Sequence, residues 1–176
     1  MNNYFNAANC VCYLRVILCF YSFWYFNTYQ NQTIFLIIVL AVMLMDALDG
    51  YVARLLNQTS VFGAKLDVYS DRIVELSYWF YFAYIGRLGY WVFAVFLLRG
   101  LIVDILTLKS DKPLGESWLR SSRFMRFVMG LGKILSFIAL IAIPEHPATM
   151  IFVWLTVISN LLRGYPVVHD FIKNSL

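Results

Sequence analysis

The sequence predicts an all-α, polytopic membrane protein: six transmembrane helices behind a short interfacial N-terminal segment, forming a single membrane domain over residues 1–176. Three observations predict it. Of the 176 residues, 61% are hydrophobic and only 14% are charged, whereas soluble domains average about 45–50% and about 25%. Apolar runs of membrane length recur along the whole chain, with polar or turn-forming residues between them. Lys and Arg are also distributed unequally between alternate connections.

The expected spans are residues 10–28, 33–56, 62–85, 89–108, 125–143 and 148–168. Between them fall the polar stretch from Asn27 to Gln32, then Asn57-Gln58-Thr59-Ser60, Gly86 to Gly89, the long Lys109 to Ser122 segment, and Pro144-Glu145-His146-Pro147. Met1 to Asn9 has no positive charge ahead of the first apolar run, and no small-residue cleavage site closes that run, so the first span is expected to remain in the mature protein. One side of the bundle carries Arg54, Lys65, Lys109, Lys112, Arg120, Arg123, Arg126, Arg163 and Lys173, and the other only Arg87. The positive-inside rule then puts both termini in the cytoplasm. The net charge of +4 is that loop asymmetry, which removes nucleic acid from the list of partners and leaves the lipid bilayer.

Other residues fit the same frame. Trp24, Tyr25, Tyr29, Tyr84, Tyr90 and Trp91 lie near span ends, where aromatic rings sit at headgroup level. Cys10, Cys12 and Cys19 all lie in the first apolar run with no later cysteine to bridge to, and are expected to be small buried hydrophobes. The run Tyr78-Trp79-Phe80-Tyr81-Phe82 covers every face of the third helix, so part of it is expected to meet lipid or a second subunit.

Four aspartates break the apolar pattern. Asp46, Asp49, Asp67 and Asp71 fall inside or near the facing ends of the second and third spans, where an ionised carboxylate costs about 2.5–3.5 kcal/mol on insertion scales. Asp46 and Asp49 are three residues apart, and Gly63, Asp67 and Asp71 step by four, so each set forms a stripe on its helix. A short turn makes the two helices antiparallel, with the stripes at matching depth. Four converging negative charges require protonation or cations, and two divalent cations balance them. Oxygen-only donors select hard ions, Mg²⁺ or Mn²⁺, and paired ions of this kind serve phosphoryl transfer. Gly50 and Gly63 leave room for a phosphate or nucleotide to approach the backbone. Ala53 keeps that face low, and Arg54 at the cytoplasmic mouth is placed to pair with a diphosphate.

Written out, the segment is Asp46-x2-Asp49-Gly50-x2-Ala53-Arg54-x8-Gly63-x3-Asp67-x3-Asp71. It resembles, position for position, the signature of the CDP-alcohol phosphotransferase family. The resemblance implies transfer of a phosphatidyl group from CDP-diacylglycerol to the hydroxyl of a small polar alcohol, with release of CMP. It implies that Asp46, Asp49 and Asp67 hold two metal ions, and that Asp71 contacts the second ion and acts as general base. It also implies that Asp49, Gly50, Ala53, Arg54 and Gly63 line the CDP site, that the active site faces the cytoplasm, and that homodimers are usual. The opening Ala8-Asn9-Cys10-Val11-Cys12-Tyr13-Leu14-Arg15 resembles the Pro-Asn-x-x-Thr-x-x-Arg pattern of the phosphatidylglycerophosphate synthase branch, with Ala8 in place of the proline and Cys12 in place of the threonine.

The acceptor rests on basic residues. Arg120, Arg123 and Arg126 repeat every three positions and Lys133 follows a heptad later, which suits either a phosphorylated acceptor or cytoplasmic anchoring. Arg99 and Lys133 lie within apolar spans, where a charge calls for a partner. Glycerol 3-phosphate is the expected acceptor, with inositol phosphate, inositol and serine as alternatives. A cation transporter is the alternative from another class, since intramembrane aspartates also mark ion paths.

Overall fold

The computed structural model describes residues 7–55, 61–110 and 123–175. Six helices run in order: α1 (Ala7–Tyr29), α2 (Gln32–Leu55), α3 (Val61–Tyr84), α4 (Tyr90–Lys109), α5 (Arg123–Ala142) and α6 (Pro147–Ser175). No strand occurs among the described residues. Segments Asn9–Tyr29, Tyr90–Lys109 and Pro147–Lys173 are long and apolar enough to cross a membrane, and Gln32–Met45 and Phe127–Ala142 are shorter apolar helices. Helix boundaries lie close to the expected ones except at the end, where α6 continues past 168 to Ser175. Its extra turns are held by packing rather than by apolar composition: Phe171 and Leu106 cover the buried pair Val103 and Val167. Pro166 sits inside this helix and withholds one backbone N–H from its ladder.

The breaks between helices follow local chemistry. Asn31 begins α2 by accepting the Ile34 N–H on its Oδ1 at 3.1 Å, which satisfies one of the donors a helix start leaves over. After α3, Gly86 takes a left-handed φ of 74°, open to glycine without a Cβ clash.

The chain gathers into two compact units, Met1–Ile85 and Gly86–Leu176. In the first, α1 packs against both α2 and α3. Asn9, Cys12, Arg15, Cys19, Ser22 and Phe26 are all buried, and their spacing of three and four makes them one face of α1. Its outer face carries Leu14, Ile17, Phe20, Tyr21 and Trp24, all exposed. Polar residues inside and large apolar ones outside suit a helix whose surroundings are lipid. Aromatic packing closes the unit: Phe23 stacks on Tyr81 at 4.2 Å and meets Tyr78 edge-on at 5.2 Å, and Phe26 lies 4.6 Å from Phe35. Tyr81 Oη donates to Asn27 Oδ1 at 2.8 Å, and the Tyr78 hydroxyl lies 3.3 Å from Ser22 Oγ. The aromatic run of α3 is therefore mostly core: Tyr78, Trp79, Tyr81 and Phe82 are buried, and Phe80 faces outward. Cys12 and Cys19 are buried as expected, Cys10 is exposed, and none of the three forms a disulfide among the described residues.

In the second unit α6 packs against α4 and α5. Ser136 and Thr156 hydroxyls meet at 2.9 Å inside it. Arg87 donates to the carbonyls of Leu140 at 2.6 Å and Ile141 at 3.3 Å, where a cation complements the C-terminal end of α5. Thr149, Thr156 and Asn160 are buried along α6, and Ile151, Trp154, Leu155, Ile158 and Leu162 are exposed. Like α1, this helix turns its buried polar residues inward, here beside Val153, Val157 and Val167, and large apolar ones outward.

Candidate active site

The helical backbone of α2 runs through positions 46, 49, 50, 53 and 54, and that of α3 through 63, 67 and 71. The spacings of three and four residues therefore translate into helix faces as expected. The side chains of Asp46, Asp49, Ala53 and Arg54, with Gly50 among them, lie outside the described set, as do all of Arg120 and the side chains of Arg123 and Arg126. The described half of the motif is on α3.

There, Asp67 and Asp71 lie on successive turns with side chains 42% and 46% exposed. Between them Ser70 is buried. Arg15 of α1 reaches all three. Its side chain is 1% exposed and forms an ion pair with Asp71 through Nη2 and Oδ1. The same nitrogen lies 3.7 Å from Asp67 Oδ1 and donates to Ser70 Oγ at 2.8 Å. Ser70 Oγ in turn donates to the Asp67 carbonyl at 3.0 Å, which commits its one proton and turns a lone pair toward Arg15.

A guanidinium buried this deeply is tolerated because anionic partners surround it. Conversely, the partly exposed carboxylates of Asp67 and Asp71 meet Arg15 on one side. In the sequence Arg15 was legible only as the last residue of the opening pattern from Ala8, not as part of the site. Its signal was present: an arginine in the middle of an apolar run, three and six residues after Cys12 and Asn9, on the face of α1 that the fold buries.

The donor set present on α3 fits hard divalent ions. It offers carboxylate oxygens on adjacent turns, and residues 46–71 contain no cysteine or histidine to favour a softer metal. Among the described residues, no group of three or more His, Cys, Asp or Glu side chains is placed to hold an ion; the other two aspartates of the motif lie outside that set. Arg15 alters the charge balance expected from the sequence.

The basic residues expected at an acceptor site occur in the second unit. Arg99 of α4 lies against Gly164 of α6, so closely that a Cβ there would stand 3.0 Å from Nε and 3.3 Å from Cγ. The absence of a side chain at 164 is what admits the arginine. Arg163, next to that glycine, points Nη1 at Met129 Sδ of α5 at 3.9 Å, and Lys133 lies one turn beyond Met129 on α5, half-buried. Arg99 and Lys133 were expected from the sequence, and Arg163 joins them here from the loop-charge inventory.

Comparison with known proteins agrees with the motif. The sequence model of the CDP-alcohol phosphatidyltransferase family matches residues 5–162. The probable CDP-diacylglycerol–inositol 3-phosphatidyltransferase 2 of Arabidopsis thaliana is 39% identical over 70 residues, 40% of this chain and 30% of that protein. A CDP-diacylglycerol–serine O-phosphatidyltransferase of Helicobacter pylori is 39% identical over 87 residues, 46% of this chain and 36% of that protein. A CDP-diacylglycerol–glycerol-3-phosphate 3-phosphatidyltransferase of Aquifex aeolicus is 35% identical over 82 residues, 47% of this chain and 42% of that protein. The chain spans about a third of the length of the curated relatives it matches. With the family's model covering most of its length, the chain belongs to the CDP-alcohol phosphatidyltransferase family.

Proposed function

We propose that this chain, as a single membrane domain of six spans with both termini and the active site cytoplasmic, transfers a phosphatidyl group from CDP-diacylglycerol to a small polar alcohol and releases CMP. The observation that carries the reading is the α3 half of the motif: Asp67 and Asp71 on adjacent turns, partly exposed, and secured from behind by buried Arg15. Asp46, Asp49, Asp67 and Asp71 are the residues that would hold two Mg²⁺ or Mn²⁺ ions, which when bound supply charge neutralisation at the diphosphate. Asp71 takes the proton from the acceptor hydroxyl. The acceptor oxygen then forms a bond to the lipid-side phosphorus as the bond from that phosphorus to the CMP oxygen breaks, and CMP carries away the electron pair. Gly50 and Gly63 let the donor approach the backbone, Ala53 keeps that surface low, and Arg54 pairs with the diphosphate.

Glycerol 3-phosphate is the acceptor this reading favours. The relatives' names divide among inositol, serine and glycerol 3-phosphate, so the argument is from residues. Arg99, Arg163 and Lys133 give the second unit three basic side chains on three packed helices, which suits a phosphorylated alcohol better than neutral inositol or zwitterionic serine. The test is CMP release from CDP-diacylglycerol by the purified chain in lipid nanodiscs with Mg²⁺ or Mn²⁺. Glycerol 3-phosphate, inositol phosphate, inositol and serine are supplied one at a time. Release with glycerol 3-phosphate alone is the expected result, and release with none of the four by a folded chain would favour ion transport.

A further inference from the structure

Arg15 lies outside the aspartate motif, on a different helix, and yet its guanidinium is the innermost charge of the described cluster. Three features set it apart from an ordinary membrane arginine. It does not extend toward water, as a lone arginine in a span does by snorkelling: its side chain is 1% exposed. One of its nitrogens serves three residues of α3: Nη2 meets Asp71, lies 3.7 Å from Asp67 and 2.8 Å from Ser70. And its own helix is tied to α3 further along by the Ser22–Tyr78 and Asn27–Tyr81 hydrogen bonds and by the Phe23–Tyr81 stack, so the two helices are held together by contacts besides those of the guanidinium.

We infer that Arg15 is a positioning residue for the transfer, holding Oδ1 of Asp71 so that this carboxylate is aimed at the acceptor hydroxyl, with Ser70 as the strut that steadies Nη2. The inference rests on the function proposed above. A fixed partner on Oδ1 removes side-chain freedom from the group that must take the proton, and misplacement of a catalytic group by about 1 Å costs about 100-fold in rate. Arg15 also adds a permanent positive charge to a cluster that otherwise relies on ions. Removing it leaves the site more negative, so Mn²⁺ binding would hold or tighten while turnover falls. A residue that merely kept the helices together would lower both.

The experiment uses the full chain in nanodiscs, with parent, Arg15→Gln, Arg15→Lys and Ser70→Ala compared for kcat, donor KM and, without substrates, Mn²⁺ binding by electron paramagnetic resonance. Expected for Arg15→Gln is a kcat about 100-fold lower with donor KM changed by less than about threefold, and Mn²⁺ bound at least as tightly as in the parent. Arg15→Lys, which restores a positive charge on a shorter stem, is expected to recover to within about tenfold of the parent. Parent-like kcat in Arg15→Gln, a lysine variant no better than the glutamine one, or Mn²⁺ binding that falls with kcat would each overturn the assignment. Should Arg15→Gln fail to fold, Ser70→Ala decides, since it keeps every charge: a kcat lower by about threefold or more at unchanged donor KM is expected, and parent-like kcat overturns. The proposed function is judged separately, on whether the parent itself releases CMP.

Discussion

Asp71 and Asp49 are both aspartates of one motif, but the proposed chemistry assigns them different work. In that proposal Asp71 would hold an ion and take the acceptor proton, whereas Asp49 would serve the ions and the donor. Asp71→Asn is therefore expected to lower kcat by at least about 100-fold while CDP-donor binding stays within about threefold of the parent. Asp49→Asn is expected to weaken Mn²⁺-dependent donor binding as well. Filter binding of a radiolabelled donor alongside CMP release distinguishes the two, and parent-like activity in either variant would contradict its role. Arg99 and Gly164 form another pair in which one residue depends on the other. A Cβ at 164 would press on the arginine at 3.0 Å from Nε and 3.3 Å from Cγ, so Gly164→Ala is expected to raise the KM for glycerol 3-phosphate several-fold, leaving the donor KM unchanged. An unaltered acceptor KM would remove Arg99 from the acceptor site.

Helices were legible wherever the sequence ran apolar between turn residues, which is why eleven of the twelve helix ends were expected to within three positions. The end of α6 was not. Past Pro166 the polar residues His169, Asp170 and Lys173 interrupt the apolar run, and Phe171 packs on Val103 and Val167, a contact between distant residues that no local pattern reveals. The aspartate motif was legible because its spacing matches the helical repeat. Arg15 was not, because α1 does not announce which of its faces is buried: its polar residues point in and its large apolar ones point out, the reverse of a soluble helix. The tie between α1 and α3 can be tested on its own terms. Tyr81→Phe removes the 2.8 Å bond to Asn27 and keeps the stack on Phe23. It is expected to destabilise the folded chain by about 1 kcal/mol in detergent, read from the denaturation midpoint, with little change in donor KM.

At the scale of the whole molecule, the outward apolar faces of α1 and α6 and the three helices long enough to span place an enzyme family's charged chemistry within a lipid setting. There a cluster of aspartates must be compensated from inside the protein or by ions, because water is scarce. Among the described residues, Arg15 supplies part of that compensation to Asp67 and Asp71. The proposed function gives the remainder to two divalent ions, which Asp46, Asp49, Asp67 and Asp71 would hold. The most direct measurement is the number of Mn²⁺ ions bound per folded chain with CDP present, by equilibrium dialysis with electron paramagnetic resonance detection. Two ions per chain in the parent, with loss of at least one in Asp67→Asn, is the expected result. A folded chain that binds no Mn²⁺, or binds it equally well without Asp67, would contradict the account.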